Sequence, residues 1–188
     1  MRNLAEELPI SRSNLQATGC LIAASLVVAL AILANGSAAK MFNGIGGVLW
    51  LASAVMLLRS LRTSDRFRAY FTLVFAVCLL LVLLVKPANL IWALIGFGVG
   101  GVLVGSITGV QALDWGPLLP ALWLPTHLLV AVARAAIRSI EGSHAPVRTD
   151  PPPTAALVPF AMVVAALAGA WLVVRLRNRS LANSTLAN

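Results

Sequence analysis

Acidic residues are scarce in this chain: six Asp and Glu stand among 188 residues. Charge of either sign reaches only 11%, against about 25% in a soluble domain. So few polar side chains cannot cover a water-facing surface. The solvent left for the apolar majority, 60% of the residues, is lipid. Histidine is nearly missing too, and no H-E-x-x-H or acidic cluster is present, which excludes the usual membrane metalloenzyme motifs. The two cysteines, Cys20 and Cys78, sit inside apolar runs and have no metal-ligand spacing. They read as small packing residues. No metal or cofactor is expected, and no enzymatic activity.

Apolar runs are what the chain has instead. They cover Ala17 to Ala34, about Phe42 to Leu58, Ala69 to Val85, Leu90 to Val110 and Ala155 to Val174. Each approaches the ~20 residues that cross a ~30 Å hydrocarbon core. The first run is not read as a signal peptide, because Glu6 and Glu7 lie in a long preceding segment. The expected fold is all-α, a polytopic transmembrane bundle. Its parts are a cytoplasmic N-terminal segment 1–16, membrane helices over 17–142, a proline-rich linker 143–154, a last span 155–174 and a basic, disordered tail 175–188.

Segment 116–142 decides between six spans and five spans plus one interfacial helix. It holds Pro117, Pro120 and Pro125, and from Pro125 onward it reads as a helix with proline at its start. His127, Arg134, Arg138 and Glu141 then share one face, a narrow polar stripe on an apolar helix.

Arginine is concentrated in RSLRTSDRFR, residues 59–68, which carries four of the 14 basic residues. Basic loops stay on the cytoplasmic side. The neighbouring loops carry only Lys40 and Lys86, so the N-terminus is expected in the cytoplasm with loop 59–68. The far end is a tie. Whether segment five spans or lies on the inner surface, the basic residues divide nine to five. Six spans are preferred, because Arg175, Arg177 and Arg179 directly follow a clean span. Net charge of +8 is assigned to membrane orientation and anionic headgroups, not to nucleic acid.

The fourth run carries Gly96 and Gly100, and Gly101, Gly105 and Gly109, at four-residue spacing. Such glycines leave a groove in which a neighbouring helix packs backbone to backbone. Ala161, Ala165 and Gly169 offer the partner surface within the chain; a homo-oligomer or a partner in a larger complex is the alternative. Ser106 lacks the G-x-S-x-G context of a nucleophile. Asp114, Trp115, His127, Arg134 and Arg138 form the one polar constellation near the apolar runs. It is expected to be an interfacial anchor or a lipid or small-anion contact.

Short turns at Asn35-Gly36-Ser37 and Lys86-Pro87-Ala88-Asn89 predict two tight helical hairpins. Laying Ser37 on Pro87 aligns Ala38 with Ala88, Phe42 with Trp92, Ile45 with Ile95 and Gly46 with Gly96. In this, residues 17–110 resemble the small six-span HdeD-like membrane proteins. That resemblance implies a six-helix bundle and an association with acid-stress resistance. The chain departs from the pattern in segment five and in linker 143–154, and no functional residue is carried over. Two functions are carried forward: a structural or stress-related membrane protein acting through helix packing and lipid contacts, or a small transporter, channel or complex subunit.

Overall fold

The computed structural model describes residues 12–34, 36–84, 89–141 and 153–186. Linker residues 142–152 and the first eleven residues lie outside the described residues. Seven α-helices are described: α1 (Arg12–Leu33), α2 (Gly36–Leu61), α3 (Phe67–Leu84), α4 (Leu90–Thr108), the single turn α5 (Ala112–Trp115), α6 (Leu118–Glu141) and α7 (Val158–Leu186). Six stretches are long and apolar enough to cross a membrane, with Ala112–Ser139 counted as one. The fold is an all-α bundle of six candidate spans, and segment five is one of them.

Helix ends follow local chemistry. Gly36 takes a left-handed φ of +64° directly after Asn35, which lets α2 turn back against α1. Asn89 caps α4, its side chain accepting from Ile91 and Trp92 backbone N–H at 3.1 and 3.2 Å. Two expected boundaries move. α1 starts at Arg12, inside the segment read as polar. Residues 175–186, expected to be a disordered tail, continue α7 as helix to Leu186. No proline or glycine interrupts them, so nothing local stops a helix already running.

The predicted second hairpin is not a close pair. α4 packs chiefly against α7, whereas α3 packs chiefly against α6. Side-chain size explains the choice. α3 presents Phe, Val and Leu, while α7 presents Ala166, Gly169, Ala170 and Val173. A Cβ added at Gly101 would fall on the Ala166 carbonyl, and one at Gly169 on the Gly98 carbonyl. A Cβ added at Gly105 would come within 3.3 Å of Val173, and one at Gly109 would fall on the Arg177 guanidinium. Gly100 faces the other way, toward Leu119, Leu81 and Val77, and Gly96 is half-buried. Gly98, outside the predicted series, thus stands at the closest crossing. Ala161 and Ala165 are buried, yet the α4 glycines meet Ala166, Gly169 and Val173 instead. The first hairpin is close-packed, with Gly46 set against Val28.

α6 is the hub, touching α2, α3, α4 and α7. Pro125 sits inside it, not at its start. Proline has no N–H, so the Ala121 carbonyl four residues earlier loses its helical partner. The Trp50 indole of α2 replaces that partner. Its Nε1–H donates to the Ala121 carbonyl at 3.1 Å and is shared with Pro120 at 3.2 Å. Trp50 is buried, so water does not compete. Pro120 itself falls in the first turn of α6, where a backbone N–H is not needed. One turn beyond Pro125 the environment changes. Residues 116–122 are buried, whereas residues 131–137 are exposed all round.

Gly101→Ala and Gly169→Ala are expected to lower stability in detergent by about 1–3 kcal/mol, as overpacking does. Gly44→Ala, where nothing lies within 4 Å, is expected to be neutral or slightly stabilising. Thermal unfolding of the three variants checks this; equal effects at all three sites would deny the α4–α7 contact. For the indole bond, Trp50→Phe is expected to cost about 1–3 kcal/mol. In a Pro125→Ala background residue 125 regains its N–H, and the cost of Trp50→Phe should shrink. A double-mutant cycle with no coupling would count against this contact.

Candidate functional site

The polar features of the bundle gather at one end. The first turn of α1, the end of α2, loop 62–66, the end of α4, α5 and the arginines of α7 meet there. Arg177 and Arg66 line one cleft together. The last helix therefore ends on the same face as loop 59–68, as six spans require.

Two clefts open on this face. The first, of about 560 Å³, is lined by Ser13, Asn14, Arg59, Ser60, Leu61, Thr63, Ser64, Gln111, Asp114 and Trp115. The second, of about 490 Å³, is lined by Thr63, Ser64, Asp65, Arg66, Tyr70, Ile107, Thr108, Gly109, Gln111 and Arg177. Thr63, Ser64 and Gln111 border both.

Local sequence places the pieces. Asn14 precedes Ala17, Leu21 and Ala24 on the buried face of α1, at helical spacing. That face carries Asn14 into the bundle, where its Nδ2 donates to Asp114 Oδ1 at 2.6 Å. Ser13 pairs with Ser60 at 2.9 Å, tying the start of α1 to the end of α2. α4 stops at Gly109, whose φ of +64° turns the chain into a short 3₁₀ segment, and α5 then presents Asp114 and Trp115. Trp115 is fully buried, edge-on to Tyr70 at 5.3 Å and beside Phe67 at 6.0 Å. The expectation that Trp115 is an interfacial anchor is thereby corrected: α3 and α7 enclose α5, so the ring faces protein. Its Nε1 has no partner among the described residues, and neither has Asn14 Oδ1.

The five-residue constellation is only partly assembled. Asp114 and Trp115 lie together at the arginine-rich end. Arg134 stands twenty residues further along the same span, roughly 30 Å away at 1.5 Å per residue. Asp114 is paired with Asn14, not with an arginine of segment five. His127 lies near the middle of the span, stacked on Trp123 with centroids 5.0 Å apart and planes 13° apart. Arg134 is exposed, and Arg138 Nε donates to its backbone carbonyl at 3.3 Å. Ser106, which lacks a nucleophile's sequence context, donates to the Val102 carbonyl of its own helix at 2.8 Å. Asn14, Gln111 and Arg177 were missed as site residues. For Asn14 the signal was available: a lone amide in register with an apolar helix stripe.

Among the described residues, no group of three or more His, Cys, Asp and Glu side chains is placed to hold a metal ion. Comparison with protein-family models, with curated proteins and with solved structures finds no match.

Asn14→Asp would set two carboxylates 2.6 Å apart in place of the amide–carboxylate bond. A loss of about 1–3 kcal/mol is expected from this like-charge contact, and Asp114→Asn in the same chain should restore most of it. Thermal unfolding of the single and double variants measures it; no rescue would mean that the two side chains do not meet.

Proposed function

We propose that this is a multi-pass protein of a bacterial-type cytoplasmic membrane, with its N-terminus and its arginine-rich face in the cytoplasm. It acts through helix packing and through contact with anionic lipid headgroups, without catalysis of its own. The observation that carries this reading is the one-sided distribution of arginine. Arg59, Arg62, Arg66, Arg68, Arg175, Arg177 and Arg179 gather at one end of the bundle, against Lys40, Arg134 and Arg138 at the other. Between the ends the surface is apolar, with Leu26, Val48, Leu83, Val99 and Val132 all exposed. Arginines at such a rim meet phosphates of the inner leaflet, whose surface is negative.

The buried hydroxyls support packing over a polar pathway. Ser25, Ser53 and Thr108 donate to carbonyls of their own helices at 2.7–2.9 Å, and Thr126 accepts from Cys78 at 3.7 Å. Groups occupied in this way are not lining a conduit. The alternative, a transporter, channel or complex subunit, would need a partner chain to supply the polar lining. A stress-related role for the bundle, which the HdeD-like resemblance implies, is kept as part of the proposal, although only the first of the two hairpins is close-packed.

Orientation is tested with single cysteines after Cys20 and Cys78 are replaced by alanine. A cysteine replacing Ser64 should resist a membrane-impermeant thiol reagent in intact cells, and one replacing Ser37 should react. The reverse pattern would overturn the orientation. In detergent, added phosphatidylglycerol should raise the melting temperature more than phosphatidylcholine, and salt should diminish the difference.

A further inference from the structure

The first cleft holds more than surface charge. Two of its lining residues, Asn14 and Trp115, are at least nine-tenths buried, and each keeps a polar atom with no partner among the described residues. One of these atoms is a donor, the Trp115 indole N–H. The other is an acceptor, the Asn14 amide oxygen. A buried polar group left unpaired costs free energy; both atoms are closed to a water-sized probe in this structure, so a ligand in the cleft meets them when the side chains over them shift. The charged groups of the cleft have the same duality. Arg59 brings a cation and Asp114 an anion, and the side-chain partner of Asp114 among the described residues is neutral, the Asn14 amide.

A simple anion would satisfy Arg59 and the indole while standing beside the Asp114 carboxylate. A simple cation would reverse the mismatch. A ligand carrying both a phosphate and a protonated primary amine satisfies all four groups. We propose that this cleft binds a phospho-amine zwitterion, with the phosphate at Arg59 and Trp115 Nε1–H and the ammonium at Asp114 and Asn14 Oδ1. The position of the cleft, at the end of the bundle where α1, α2 and α5 leave the apolar zone, suits the headgroup of an aminophospholipid. The inference rests on the proposed headgroup-facing role of this end. It adds selectivity for the amine, which the arginine rim alone does not provide.

The experiment uses the full chain in detergent, titrated with phosphatidylethanolamine or phosphatidylcholine of the same acyl chains, with binding read by native mass spectrometry and by thermal shift. Phosphatidylcholine carries the same phosphate, but its quaternary ammonium has no N–H for Asp114 or Asn14. Phosphatidylethanolamine should bind about tenfold or more tightly, as one charge-assisted hydrogen bond requires. Asp114→Asn, which keeps the side-chain shape, should remove most of that preference; Trp115→Phe, which keeps an aromatic ring against Tyr70 but loses a donor to the phosphate that both lipids carry, should weaken both lipids and leave the preference in place. Arg134→Gln, at the opposite end, should leave it intact. Soluble O-phosphoethanolamine distinguishes the source of the ligand. Competition that depends on Asp114 assigns the cleft to a free phospho-amine, and absence of competition assigns it to the lipid. Equal binding of the two lipids would overturn the inference. If the gain from phosphatidylglycerol persists in that case, the headgroup-facing role stands and only the cleft assignment fails; if it too is absent, both fail.

Discussion

The bond from the Trp50 indole to the Ala121 carbonyl is the constraint on which the rest of the bundle depends. Inside a membrane no water is at hand to take up a stray carbonyl. Pro125 creates one at Ala121, in the first turn of α6, and a second helix must answer it or α6 must bend. Trp50 answers it, so α6 runs uninterrupted from Leu118 to Glu141. Two consequences follow. α6 is joined to α2 at mid-depth by a polar contact with a fixed direction, which apolar packing alone does not supply. The α5 turn in front of α6 is also held at one end of the bundle, where Asp114 meets Asn14 and Trp115 meets Tyr70.

Packing between the remaining helices follows side-chain size. Lipid is as apolar as leucine, so burying leucine gains little, and helices associate where their backbones come closest. That criterion selects α4 with α7 and α1 with α2, the pairs containing Gly98, Gly101 and Gly169 in one case and Gly46 in the other. α3 lacks glycine altogether and meets α6 through larger side chains, with Cys78 reaching Thr126. The arginine-rich face is the place where these differently packed pairs end together.

Much of the fold was legible because the membrane restricts the possibilities. Runs of apolar residues give spans, and the number of spans fixes which ends share a face. The glycine spacing in α4 marked a close approach. What it could not give was the partner, since periodicity on one helix says nothing about which other helix answers it; the short turn after α3 pointed to the wrong neighbour. Pro125 was misplaced for the same reason. A proline in an apolar run reads as a helix start unless a distant tryptophan is known to replace the missing donor. The candidate site was half visible. Asp114 and Trp115 stood out as polar or amphipathic groups at a span end, but Arg134 and Arg138 were grouped with them by composition, although the length of the same span sets Arg134 roughly 30 Å from Asp114. Asn14, although in register with the apolar stripe of α1, fell in the segment 1–16 read as lying outside the spans.

The pairing of α4 with α7 also sets an order in time. A ribosome delivers α4 before α5, α6 and the linker, and α7 only after these. The α1–α2 hairpin has its partner next to it in the chain, whereas the glycine face of α4 has no mate until α7 has been made. The six-span bundle is therefore closed by α7, and a ribosome that stalls within the linker leaves α4 without a mate.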